Sequence, residues 1–186
     1  GIIYKGIDPT ATGTVTGVQS QLTHGWAEGR GYVELKTDEE RSAAFSALAG
    51  DFGIQLSESL SLEADPKARH PGMIIGKELR TALDVDPGDV VQVINPMGGG
   101  PGLMGMPAPS VRSYRVAGVF DSGMYEYDTK WTYVGLQAAQ EFLKLGDVAT
   151  GIEARLHDAD DVKHISSEIE RQLGYPLYTR NWQDLN

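Results

Sequence analysis

The chain has 186 residues, 40% hydrophobic and 23% charged, enough for one good core or two small ones and too apolar for wholesale disorder. A formal net charge of −10 opposes nonspecific binding to nucleic acid or anionic lipid. The absence of cysteine excludes disulfides, thiolate zinc sites and cysteine nucleophiles, and no apolar run approaches the roughly 18 residues that span a bilayer.

The chain opens without an initiator Met, directly in the strand-like stretch Ile2–Tyr4, and so reads as a piece of something larger. Thr10–Gly31 is rich in Gly and Thr and is expected as loop with short strands; Tyr32–Leu35 is extended. Thr37 followed three residues later by Glu40 forms a capping box, so a helix should run from there to Leu48 and stop at Gly50. Phe52–Glu63 favours extended structure through Ile54, Leu56, Leu60 and Leu62. A strand at Met73–Ile75 and a helix at Lys77–Leu83 precede Asp86-Pro-Gly-Asp89, a tight turn with Pro and Gly where such turns want them. Val90–Ile94 and Tyr114–Phe120 are buried strands, Trp131–Val134 another, and Leu136–Leu143 a helix. Thr150–Leu156, Asp160–Leu173 and Pro176–Arg180 read as strand, helix, strand, with Asp158 as the helix cap, Val162, Ile165, Ile169 and Leu173 on one face, and Gly174 as the stop.

Chemistry-bearing patterns are few. His157 and His164 are seven apart, about 10 Å along a helix, whereas paired imidazole ligands sit at i, i+4; capping acids and solvated histidines explain that stretch better. Gly98-Gly-Gly-Pro-Gly lacks the Lys and the following helix of a phosphate loop, and Pro101 removes a donor. Gly72-Met-Ile-Ile-Gly-Lys-Glu is one residue short of such a loop and has Glu where Ser or Thr should bind magnesium. No serine sits in a Gly-x-Ser-x-Gly elbow. The sequence gives no reason to propose catalysis, a metal or a cofactor. The segment Pro96–Ser113 is different: it holds no acidic residue in a strongly acidic chain, and it carries Met97, Leu103, Met104 and Met106 among its glycines and prolines. Met suits adaptable contact with an apolar groove, and prolines lower the entropy lost on binding. Composition alone leaves two readings open, a contact loop and an idle hairpin tip.

Several stretches occur in an order that resembles the periplasmic domain of LolC/LolE-type permeases within the wider MacB-like group. They are Gly6-Ile-Asp-Pro9, Ile74-Ile-Gly-Lys-Glu-Leu79, Pro87-Gly-Asp-Val90, Val116-Ala-Gly-Val-Phe120, Asp121-Ser-Gly-Met-Tyr-Glu-Tyr-Asp128, Gly151-Ile-Glu-Ala-Arg-Leu156 and Trp182. The resemblance covers nearly the whole chain, most weakly at Thr10–Arg69. It implies an α+β fold: a porter-like βαβ subdomain plus a small β-rich, Sabre-like subdomain with a protruding hairpin loop. The corresponding division is 1–72 for an N-terminal part, 73–148 for the Sabre-like part with a Hook loop at 96–113, and 149–186 for a C-terminal porter-like βαβ that ends where a membrane helix starts.

The implied function is non-catalytic: the periplasmic part of an inner-membrane ABC transporter that releases lipoproteins and recruits a LolA-type periplasmic chaperone through the Hook. ATP hydrolysis would fall to a separate LolD-type cytoplasmic subunit, a partner permease would complete the complex, and membrane attachment would come through helices absent from this segment. The Hook pattern is Pro-Met-Gly followed by Pro-Ser-x-Arg. Pro109-Ser-Val-Arg112 matches the second part. Met104-Gly105 fits the first, with Leu103 in place of Pro and one extra residue before Pro109, and Pro96-Met97-Gly98 also matches it, earlier. The residues so implied are Pro96, Met97, Leu103, Met104, Gly105, Met106, Pro107, Pro109 and Arg112. A Hook favours a C-type or combined-type permease. The competing expectation is a MacB-like export domain that docks a periplasmic adaptor protein.

Overall fold

The computed structural model describes residues 1–12, 15–27, 30–52, 69–99 and 108–181. The fold is α+β, as expected. Contacts divide the chain into two compact units, Gly1–Thr150 and Gly151–Asn186.

The first unit is built on one mixed sheet. Its path runs β1 (Ile3–Ile7), β8 (Trp131–Gly135), β5 (His70–Gly76), β7 (Ser110–Phe120), β2 (Leu22–Ala27), β3 (Gly31–Glu34); the two-residue β4 (Asp51–Phe52) joins β5, and β6 (Val90–Asn95) joins β7. Strand β5 runs across residue 72, so strands from both sides of that position share the sheet. It lies parallel to β7 and antiparallel to β8, and its residues alternate between two cores. Ile74 packs with Ala117, Phe120 and Tyr133 under Phe45 and Leu48, which come from helix α2 (Asp38–Ser46) and the 3-10 turn after it. Met73 and Ile75 pack with Val116, Val119 and Val134 under Ala138, Ala139 and Phe142 of helix α5 (Leu136–Leu143). Both faces are therefore covered, which is why β5 and the end of β7 are continuous apolar runs. A register shift opposite Met73/Ile74 gives β7 one extra residue, so that Val116 and Val119, three apart, serve the same core.

The local signals hold where chemistry is explicit. Thr37 Oγ1 accepts from Glu40 N, and Glu40 Oε2 accepts from Thr37 N, the expected capping box. Helix α3 (Lys77–Leu83) and α5 occupy the residues expected of them. The turn at Asp86 closes with Asp89 N donating to Asp86 O, and buried Arg115 Nη1 donates to Gly88 O at 2.8 Å, stitching that turn to β7. Lys77, the lysine of the short phosphate-loop pattern, pairs instead with Asp121.

Other expectations are corrected. Thr10–Gly31 holds a short strand as expected, β2, whose strand bonds come from β3 and β7, but a turn of helix not foreseen, α1 (Pro9–Thr12), leads into it. A six-residue helix not foreseen, α4 (Tyr125–Lys130), precedes β8; buried Asp128 fastens it by accepting from Ser122 N and Ser122 Oγ. Its N-cap, Met124, makes no side-chain cap bond, and the capping residues by which helices are read from sequence are missing there. Gly76 is required beside it: a Cβ there would stand 2.2 Å from Asp128 O. Of Phe52–Glu63, all but Phe52 lies outside the described residues.

The second unit contains helix α6 (Val162–Leu173), ended at Gly174 as expected. Its N-cap is Asp161, without a side-chain bond; Asp158 Oδ1 instead takes Asp160 N, closing its own turn. The flanking stretches Thr150–Leu156 and Pro176–Arg180 are not strands. An extended segment becomes a strand only when a neighbour takes its N–H and C=O groups, and neither segment has such a partner strand among the described residues. Thr179 instead turns back on α6, donating from N and Oγ1 to Glu170 Oε1.

Candidate functional site: the β6–β7 hairpin

Strands β6 and the first half of β7 form an antiparallel ribbon with Val90 opposite Arg115 and Asn95 opposite Ser110. Strand β7 begins at Ser110 rather than Tyr114, because Val111, Arg112 and Ser113 find ladder partners in Ile94, Val93 and Gln92. The connection is thereby shortened from 96–113 to Pro96–Pro109. Of the residues implied for contact, Pro96, Met97, Pro109 and Arg112 are described; Leu103, Met104, Gly105, Met106 and Pro107 lie outside the described residues.

The neck of the loop is tied at two levels. Asn95 receives Met97 N on its side-chain oxygen at 3.1 Å and Gly98 N on its carbonyl at 3.2 Å, a local turn of the kind Asn favours. Above it, Gly99 N donates to Ala108 O at 2.7 Å, across the loop. The approach leaves no room for a side chain: a Cβ on Gly99 would lie 2.1 Å from Ala108 O.

The period of the ribbon sorts its side chains. Val91, Val93, Arg112 and Tyr114 share one face, and Ile94 pairs with Val111 on the other. Val91, Val93 and Tyr114 pack in the core under α5. Ile94 is 61% exposed, Val111 53% and Met97 74%. The hairpin thus presents an apolar surface to solvent from a rigid root. The sequence reads Ile94 as core with the rest of its strand and Val111 as loop; their register opposite one another, which only the pairing reveals, puts both outside.

The root is aromatic. Tyr114 and Tyr4 of β1 share a hydroxyl–hydroxyl hydrogen bond, and both rings meet Phe142 of α5 edge to face. Burial, and for Tyr4 the bond to Tyr114, push the phenol of Tyr4 far above its usual range; burial likewise raises Tyr114. Both stay neutral at any physiological pH. Arg112 reaches α5, donating from Nη1 to Ala138 O at 3.0 Å and from Nη2 to Glu141 Oε2 at 2.9 Å. Beside this root runs an open groove of about 1020 Å³, lined by α5, Arg112, Pro71 and the start of α1.

His24 stacks on Tyr32 with ring centroids 5.2 Å apart, and no cluster of three potential metal ligands occurs among the described residues. No helix among the described residues is long and apolar enough to cross a membrane.

The described part of the hairpin rises from a two-core mixed sheet and holds Ile94, Met97 and Val111 exposed. The chain belongs to the MacB-like periplasmic core domain family, which it matches over residues 4–172. Among curated proteins it is similar to two described as "Lipoprotein-releasing system transmembrane protein LolC". The one from Xylella fastidiosa strain 9a5c is 26% identical over 186 residues, 94% of this chain and 40% of that protein. The one from strain Temecula1 is 28% identical over 116 residues, 59% of this chain and 26% of that protein. The chain thus spans less than half the length of these relatives.

Proposed function

We propose that this chain is the periplasmic domain of an inner-membrane ABC transporter permease that releases lipoproteins, and that the β6–β7 hairpin recruits a LolA-type chaperone. The observation that carries the reading is the exposed apolar surface of Met97, Ile94 and Val111 on a hairpin rooted in the core. Apolar side chains held toward solvent by a hydrogen-bonded neck cost little further ordering when a partner covers them. Likeness to the LolC relatives and membership of a periplasmic domain family support the setting. On this reading the domain performs no chemistry. ATP hydrolysis belongs to a LolD-type cytoplasmic subunit, a partner permease completes the complex, and lipoproteins are the cargo. The strands around the hairpin have Sabre-like character and 149–186 porter-like character.

Contacts at the tip would come from Leu103, Met104, Gly105, Met106 and Pro107, with Pro96, Met97, Pro109 and Arg112 at the neck and root. Deleting 103–107 leaves the Gly99–Ala108 tie and the ladder below it in place. The expected outcome in surface plasmon resonance with purified LolA-type chaperone is a loss of affinity of at least about 100-fold, or about 2.7 kcal/mol. The thermal midpoint should stay unchanged. Parent-like affinity in the deleted chain would overturn the reading. The MacB-like family description favours a second reading, docking of a periplasmic adaptor; adaptor binding lost on the same deletion, with no chaperone binding by the parent, would select it.

A further inference from the structure

Arg112 is the one charged residue on the described face of the ribbon that turns toward α5. We propose that Arg112 is a positioning residue which, with Glu141 of α5, latches the hairpin and fixes the direction in which it carries its loop. The proposal rests on the reading of the hairpin as a recruitment element and deepens it.

Below Tyr114 the sheet holds β7 on both edges: β5 pairs with Arg115 to Phe120 on one side, and β6 and β2 follow each other on the other. Among the described residues β6 alone pairs with Ser110 to Tyr114, so this part is a two-stranded ribbon. Such ribbons twist and bend more than wider sheets and are marginal by themselves. Here Val91, Val93 and Tyr114 pack the ribbon under α5, and a polar tie adds the direction that apolar packing lacks. Arg112 supplies it in the middle of the ribbon, opposite Val93. Its guanidinium spends one nitrogen on Ala138 O at 3.0 Å and another on Glu141 Oε2 at 2.9 Å, and its centre lies 5.7 Å from the Tyr114 ring. A planar fork holds two acceptors and a ring face in one fixed geometry; a rotating ammonium does not fix it. Glu141 is itself steadied: its other oxygen accepts from Gln137 Nε2 at 3.2 Å, one turn earlier in α5. The arginine side chain is 24% exposed, so most of it is committed to this packing rather than offered to a partner. Glu141 thereby acquires a role that no motif gave it.

The absence of cysteine makes a direct test simple. Spin labels on Met97→Cys and Ala43→Cys in the 186-residue chain report the distance from the loop neck to α2 by pulsed electron paramagnetic resonance. The parent should give one narrow distribution. Arg112→Ala and Glu141→Ala should each broaden it at least twofold, and Arg112→Lys should fall between. Unchanged widths in both alanine variants overturn the latch. Should an alanine variant fail to fold, Arg112→Lys and Glu141→Gln, which keep size, carry the same comparison. Affinity for purified LolA-type chaperone adds a second readout: Arg112→Ala and Glu141→Ala should each weaken it about five- to tenfold, and the double variant no further, because both break one tie. If Arg112 instead touches the chaperone itself, Glu141→Ala keeps parent affinity, and that result also overturns the latch. If the parent binds no chaperone, the recruitment reading falls, and the distance distributions alone decide the latch.

Discussion

From Tyr114 to Phe120 strand β7 is buried at every position, whereas from Ser110 to Ser113 it is exposed or half-buried. The two stretches are continuous in backbone but differ in composition: 114–120 is mostly apolar, whereas Ser110-Val-Arg-Ser113 holds a single apolar residue. Their neighbours differ as well. The inner half lies between β5 and β2 and beneath α2 and α5; the outer half has β6 and the side chain of Arg112. The lesson is that one strand can be structural at one end and exposed at the other, its residues and its neighbours changing together. What also differs is how much of the fold has been built around each end.

Three changes should break or sharpen this contrast, in descending order of effect on stability. Phe120→Ala removes a ring that is 1% exposed and packed edge to face on Tyr133, and should cost about 3–5 kcal/mol in chemical denaturation. The loss should be global; a drop under about 1 kcal/mol would mean that the inner half is not the core it looks to be. Gly99→Ala should push the loop neck apart and cost about 1 kcal/mol, the worth of one hydrogen bond. Hydrogen exchange should accelerate at residue 99 and leave the amides of Val116 and Val119 protected. Spread of the effect into those core amides would show the two halves to be one cooperative element.

The smallest effect concerns the cover of the inner half. The hydrogen bond and charge of Arg30, with the amides of Lys36 and Thr37, hold the Glu40 carboxyl at about 2, below its ordinary value of 4.5. A folded-state value depressed in this way adds stability above the ordinary value and loses it as pH falls through the folded one. Thermal midpoints of the parent and Glu40→Gln should therefore differ at pH 6 and converge between about pH 4.5 and pH 2. A difference that persists at pH 2 would mean the carboxylate charge is not what secures α2.

Much of this was legible in the sequence wherever a residue acts on its own backbone. Thr37 and Glu40 announce α2, Asp86-Pro-Gly-Asp89 its turn, and Gly174 the end of α6, because caps and turns are local chemistry. Strands and short helices depend on remote partners. Helix α4 is fastened through Ser122 and Asp128, and the stretch 151–156 alternates like a strand yet has no partner strand among the described residues to make it one. The candidate site was found by composition, as an acid-free, Met-bearing segment between two strands. Its outer apolar pair, Ile94 and Val111, needed the register, and the partner of Arg112 on α5 is 29 residues away in sequence, beyond any local pattern.

The tie between Gly99 and Ala108 closes the polypeptide into a loop whose two ends are set by the hairpin beneath it. Residues enclosed by such a ring can lengthen, shorten or change chemistry without disturbing the ladder from Asn95 and Ser110 downward. The hairpin is in this sense a socket: the sheet stays constant while the insert is exchangeable. On the proposed recruitment reading, grafting loops of unequal length between Gly99 and Ala108 would alter which partner is caught without refolding the domain, a practical handle for re-addressing it.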